Sequence, residues 1–229
     1  MTALSPSLYA ADPLRIAEDI EAVAPYAESF HLDVMDGRFA PEFGLNLRFI
    51  REFAAVTTIP LDVHLMVTNP REVVLRIAEM GVRSIAVHIE SDDDVRDLVA
   101  IIRSNGVKTY AALRHTTPMA VLEPILDDID GCLLLTAPAG GGAFDEQAFS
   151  RLAQRPKDLY TVVDGKIGPE HFERLKTLGV DVAVVGTALF ADRQAAQRAR
   201  DLSGMLCRPH QTEFSGVRAS SEKGGWAGP

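Results

Sequence analysis

The chain has 229 residues, 47% of them hydrophobic and 24% charged, with a formal net charge of -9; this suits one globular domain with a sizeable core. The acidic balance argues against a nucleic-acid partner, because a phosphate backbone selects basic faces. No apolar run approaches the roughly 20 residues that span a bilayer, so a membrane is not an expected partner either.

The first stretch, MTALSPSLYAADPL, has no charged segment leading into an apolar one, and no secretory signal is expected. The two cysteines are Cys132, in a core-like run, and Cys207, near the C-terminus. That spacing does not suggest a disulfide framework, and a reducing, cytoplasmic setting is expected.

Short apolar or β-branched runs alternate with helical segments along the chain. ALSPSLY (3–9) leads to a helix predicted over 12–24, with Asp12 at its start. SFHLDVMD (29–36) and PLDVHLMV (60–67) follow, and then a helix over 69–81 with Asn69 and Gly81 at cap positions. SIAVHIE (84–90), KTYAALR (108–114), GCLLLTA (131–137) and LYTVVDG (159–165) are the next runs. A helix over 169–179 and the run DVAVVGTALF (181–190) complete the series. Near-continuous apolar strands fit a parallel sheet buried on both faces. Eight such units predict an α/β fold, a single (β/α)8 TIM barrel, with an open doubly wound sheet as the alternative.

The pattern stops near residue 203. The expected organisation is a barrel domain over 1–203 and a poorly ordered tail over 204–229, rich in Gly, Ser and charge. His210 and Trp226 in that tail are given no role.

Side chains at the C-terminal ends of barrel strands point into the mouth, where such enzymes keep their sites. His31 and Asp33 lie two apart on the second run and so share a face. His64 stands in the third run and Asp164 in the seventh. Two imidazoles and two carboxylates converging there suit one divalent cation, with zinc, iron, manganese or cobalt fitting better than magnesium or calcium. A dication also offsets carboxylates that would be costly to bury alone. Asp36, followed by Gly37, reads as a turn residue. Asp62 shares the face of His64 one layer away, or points out toward a helix.

SPSLYAAD, HLDVMDG, PLDVHLMVTNP, AVHIES, VDGKIGPE and VVGTALF resemble the ribulose-phosphate 3-epimerase family, from about residue 4 to residue 203. The resemblance implies that His31, Asp33, His64 and Asp164 are the metal ligands, and that Asp33 and Asp164 are also the acid/base pair. It implies substrate contacts from Ser7, Met35, Met66 and His64. The implied reaction is epimerisation at C3 of a ketose phosphate through a planar cis-enediolate, one carboxylate removing a proton on one face and the other delivering one opposite. The default substrate is D-ribulose 5-phosphate, giving D-xylulose 5-phosphate, in the pentose phosphate pathway.

Phosphate binding is expected at the loops after the seventh and eighth strands, around Gly165 and Lys166 and around Gly186 and Thr187. The family usually has glycine where Lys166 stands; the lysine either adds a charge for an anion or is a solvated surface residue. The loop TAPAGGGAF (136–144) is shorter than the family's and lacks its phenylalanine between glycines, but Gly140, Gly141 and Gly142 keep the flexibility of a lid. Leu135 stands where a third methionine is usual. Arg114 and His115 are unusual after the fifth strand; Arg114 pairs with an anionic ligand group or sits on the rim.

These departures gather at the lid and phosphate end, away from the metal residues. Allulose 6-phosphate or a tetrulose phosphate are therefore alternative substrates, and a non-catalytic phosphosugar-binding barrel is a further reading. A decarboxylase or aldolase on the same barrel is disfavoured, since LDVHLMV has no AspXLysXXAsp pattern. Small barrels of this kind often assemble, so a homo-oligomer is expected.

Overall fold

A computed structural model describes residues 1–206. Eight parallel strands form one sheet: β1 (Ala3–Pro6), β2 (Phe30–Met35), β3 (Leu61–Met66), β4 (Ser84–His88), β5 (Lys108–Leu113), β6 (Gly131–Leu135), β7 (Thr161–Asp164) and β8 (Val182–Val185). The order is β1-β8-β7-β6-β5-β4-β3-β2. The two ends of this sheet meet through a Ser7–His31 bridge, Glu28 N–H donating to Leu4 O at 2.9 Å, and Ser5 Oγ donating to Ser29 O at 3.1 Å. The predicted barrel is therefore observed, and the open sheet is not.

Alternation along each strand builds two cores. Outward residues such as Leu32, Val34, Val63, Leu65, Ile85, Val87 and Leu134 pack under helices through Ile50, Val74, Ile77, Leu98, Ile102 and Phe172. Inward residues, among them Ala3, Met35, Met66, Ala86, Tyr110, Leu133, Val162 and Val184, fill the barrel. At its lower end Asp62 points inward and is buried. It accepts from Arg83 Nε at 2.9 Å and from Ser84 Oγ at 2.6 Å. That settles its two possible orientations in favour of the face it shares with His64.

Helices alternate with the strands: α1 (Ile16–Val23), α2 (Leu47–Ala54), α3 (Arg71–Ala78), α4 (Val95–Ser104), α5 (Gln147–Leu152), α6 (Pro169–Leu178), α7 (Thr187–Phe190) and α8 (Ala195–Leu206). Between β5 and β6 a 3-10 stretch, Met119–Asp128, takes the helix's place, with Pro124 inside it. Asn46 and Asp94 cap α2 and α4 by accepting from Phe49 N–H and Arg96 N–H. Asp12 instead closes a turn onto Leu14 N–H ahead of α1, and Asn69 precedes the first turn of α3 without capping it. The eighth run also differs from its prediction. The strand ends at Val185, and TALF turns into α7, because a short apolar segment after Gly186 satisfies its backbone equally well as a helical turn. α8 continues to Leu206, beyond residue 203; Cys207, His210, Trp226 and the rest of the expected tail lie outside the described residues.

No helix among the described residues is long and apolar enough to cross a membrane. Cys132 is buried within β6 as a free thiol.

Candidate active site

His31 and Asp33 both turn inward because they are two apart on β2, and β3 pairs with β2 in a register that sets His64 beside Asp33. Asp164 is the last residue of β7, which β1 and β8 separate from β2 in the closed barrel. All four are enclosed; His64 is fully buried and the Asp164 side chain is 14% exposed.

Their donor atoms meet at one point. His31 Nε2 is 3.3 Å from Asp33 Oδ1 and 3.5 Å from Asp164 Oδ2. His64 Nδ1 is 3.3 Å from Asp33 Oδ1 and 3.2 Å from Asp164 Oδ2. One donor atom per residue gives a set all within 4.8 Å of one another. Four ligands held tetrahedrally at about 2.1 Å from an ion are roughly 3.4 Å apart, which these separations match. His31 Nε2 is also buried with no hydrogen-bond partner. A buried ring nitrogen that faces two carboxylates at 3.3 and 3.5 Å without a well-formed hydrogen bond stands where a cation ligand would, so the residues fit a dication.

The charges in the cluster support one another. Burial works against a charged His31, but the Asp33 and Asp164 carboxylates outweigh it and hold the imidazole up at about 10. Burial also opposes the Asp33 charge, and His31 and His64 more than reverse that, keeping its carboxyl well below the usual carboxylate range. Asp164 lies low as well: burial and the Asp33 charge push up, and the two imidazoles win. Asp33 turns its other oxygen, Oδ2, to Ser7 Oγ, which donates to it at 2.7 Å.

A cavity of about 450 Å³ opens at this cluster, and Ser7, Asp33, Met35, Met66, Leu135 and Asp164 are among its lining residues. Gly165, Lys166, Gly186, Thr187, Gly140 and Gly141 also line it. Gly142 is not part of the lining; it lies against the Pro138 ring. Gly165 has φ +113, and a Cβ there would meet Ala137 N at 2.8 Å, so the close approach of the two loops excludes any side chain. Lys166 stands next to it with φ +56, the one non-glycine residue at positive φ among those described.

Two expectations at the rim resolve structurally. Arg114 does not line the cavity. Its guanidinium stacks 3.8 Å over the Phe39 ring and donates to Phe39 O at 3.0 Å, clasping the loop after β2. Asp36 behaves as a turn residue, accepting from Arg38, Phe39 and Thr68 N–H groups. Phe144, from the glycine-rich loop, stacks 3.9 Å from His171 and so packs away from the cavity.

Sequence reasoning missed His88 and Glu90. His88 ends β4, is fully buried, and sits with Nε2 2.9 Å from His64 Nε2. Burial pushes its imidazole down to about 4, and Glu90, 2.9 Å from Nδ1, pulls the other way. Glu90 itself is held down at about 2: burial opposes its charge, but His88 and Thr117 prevail. The signal was present in AVHIE, the same i, i+2 polar pair at a strand end that marks His31 and Asp33.

The model of the Ribulose-phosphate 3 epimerase family matches residues 3–190. Ribulose-phosphate 3-epimerase of Bacillus subtilis is 30% identical over 209 residues, covering 86% of this chain and 96% of its own. The Mycobacterium tuberculosis protein of that name is 32% identical, covering 84% and 88%. Among solved structures, a variant tryptophan synthase α-subunit from Pyrococcus furiosus superposes with a TM-score of 0.68 at 22% identity, over 89% of this chain and 97% of that one. That likeness speaks to the barrel alone.

Proposed function

The chain belongs to the ribulose-phosphate 3-epimerase family, and we propose that it is a metal-dependent 3-epimerase of a ketose phosphate, with D-ribulose 5-phosphate as its substrate. One observation carries this reading: Asp33 and Asp164, from β2 and β7, strands separated by β1 and β8 in the closed barrel, reach the same pair of imidazole nitrogens.

Inverting C3 beside a ketone requires a base on one face and an acid on the other. Asp33 and Asp164 fill these roles, one taking the C3 proton and the other returning a proton from the far side, and they exchange roles in the reverse direction. Both carboxylates rest ionised, which suits either as the base. Ser7 holds Asp33 by its Oδ2, fixing the carboxylate plane. Met35, Met66 and Leu135 line the wall beside the reacting carbons and keep water from a planar enediolate. His31, Asp33, His64 and Asp164 would hold the cation, zinc, iron, manganese or cobalt. Once bound it supplies positive charge against the negative charge that develops on the C2 and C3 oxygens. Gly165, Lys166, Gly186 and Thr187 take the phosphate end, with Gly140 and Gly141 in the same lining.

The departures gathered at the lid and phosphate end, Lys166, Leu135 and the loop over 136–144, support a second reading of substrate, a ketose phosphate of another chain length such as allulose 6-phosphate or a tetrulose phosphate. Incubation of the metal-reconstituted protein in deuterated water with four-, five- and six-carbon ketose phosphates tests both. Deuterium at C3 is expected, fastest with ribulose 5-phosphate. Faster exchange with another length reassigns the substrate, and no exchange with any of them overturns the enzyme reading in favour of a phosphosugar-binding barrel.

A further inference from the structure

The contact between two buried histidines constrains where protons sit. His64 Nε2 and His88 Nε2 are 2.9 Å apart, so one nitrogen donates and the other accepts. No water substitutes there, since both side chains are fully buried. Which nitrogen donates is decided further out. His88 Nδ1 lies 2.9 Å from Glu90 Oε2, and Glu90 Oε1 already accepts from Arg114 N–H at 2.9 Å and Thr117 Oγ1 at 2.5 Å. An ionised carboxylate only accepts. His88 therefore carries its proton on Nδ1 and presents a lone pair at Nε2. His64 must then donate from Nε2, so that in its neutral form, the one that binds a cation, the lone pair is on Nδ1, the atom facing Asp33 and Asp164.

We propose that Glu90 and His88 are positioning residues that set the tautomer of His64, so that His64 Nδ1 is presented as a cation ligand. The inference rests on the metal-dependent reading above. The pair is held by packing: Phe39 lies 4.6 Å from the His88 ring, and the Arg114 guanidinium lies 3.8 Å over the Phe39 ring. Both members lie outside the four candidate ligands, and neither lines the substrate cavity.

Glu90→Gln tests the chain with almost no change in shape. The amide oxygen is required at the Oε1 position, where two donors arrive, so the NH2 group faces His88 Nδ1. That reverses both hydrogen bonds and puts a proton on His64 Nδ1. Competition between the protein and a chromophoric chelator for zinc is expected to show affinity reduced by about 10–100-fold, the usual effect of losing an outer partner of a metal-bound histidine. Two-bond nitrogen–proton NMR of the zinc-loaded wild type is expected to show His88 protonated at Nδ1 and His64 at Nε2, a readout that does not depend on the variant folding. Unchanged zinc affinity in folded Glu90→Gln, or a wild-type His88 protonated at Nε2, overturns the inference while leaving the metal reading intact. A wild type that takes up no zinc, manganese, cobalt or ferrous iron overturns both.

Discussion

Asp33 and Asp164 approach His64 Nδ1 at 3.3 and 3.2 Å, although one stands on β2 and the other on β7, strands that are not neighbours in the sheet. Carboxylates so placed flank a single point and can address opposite faces of a flat molecule. Asp33→Asn and Asp164→Asn each remove one proton carrier at nearly constant shape. Each is expected to lower kcat by about 10²–10⁴-fold. The wash-in of deuterium at C3 checks this, and a variant that still exchanges at the wild-type rate removes that residue from the acid/base pair.

Cation removal follows from the same geometry. Dialysis against a chelator is expected to abolish epimerisation, and zinc, manganese, cobalt or ferrous iron to restore it. Because a ligand that binds only the folded chain stabilises it, a dication at a hundred times its Kd adds about 2.7 kcal/mol, or roughly 5–10 °C in Tm for a chain this size. Calorimetry with and without metal measures the shift.

The metal-free protein carries a pH signature. Folding raises His31 from its ordinary value near 6.5 to about 10, so the folded chain binds a proton that the unfolded chain releases. The resulting stability is complete below about pH 6.5 and is lost as pH rises through about 10. The Tm of chelated protein is therefore expected to fall across that window. Over the same window cation uptake displaces the proton, and apparent metal affinity is expected to rise with pH. Melts and zinc titrations at several pH values check both signs.

Lys166 holds a left-handed backbone in the cavity lining. That conformation costs a side-chain-bearing residue about 1–2 kcal/mol. Lys166→Gly relieves it and is expected to raise stability by about 1 kcal/mol, after the extra entropy of glycine in the unfolded chain is subtracted. If the lysine faces the phosphate, the same change raises KM for the phosphorylated substrate with kcat nearly unchanged. A KM that does not move makes Lys166 a surface residue.

At the closed end of the barrel, Arg83 Nη2 reaches Asp62 Oδ2 at 2.5 Å with both side chains mostly buried. Arg83→Met strands the Asp62 carboxylate and is expected to cost about 3–5 kcal/mol. The double change Asp62→Leu with Arg83→Met is expected to recover much of it. Denaturant melts of the three variants decide.

The strand list and the four candidate ligands were legible in the sequence because each rests on local pattern. His31 and Asp33 announce a shared face by spacing alone, and Asp164 ends an apolar run. TALF was not legible, since four apolar residues have no period that separates strand from helix. Arg114 was read as a ligand or rim group because its partner, Phe39, lies in a loop far away in the chain. His88 was missed for a similar reason: its meaning comes from His64 on one side and from Glu90, tied by donors beyond β5, on the other.

Chain chemistry alone determined which residues face inward, since a strand's two-residue repeat is a property of its own backbone. It also determined that acidic and imidazole groups would crowd the strand ends. Only closure of the barrel decided that β2, β3 and β7 bring those groups within one ion's reach, and which imidazole nitrogen meets which partner. Those separations are sums over eight strand pairings and their stagger, a quantity no local stretch of sequence contains.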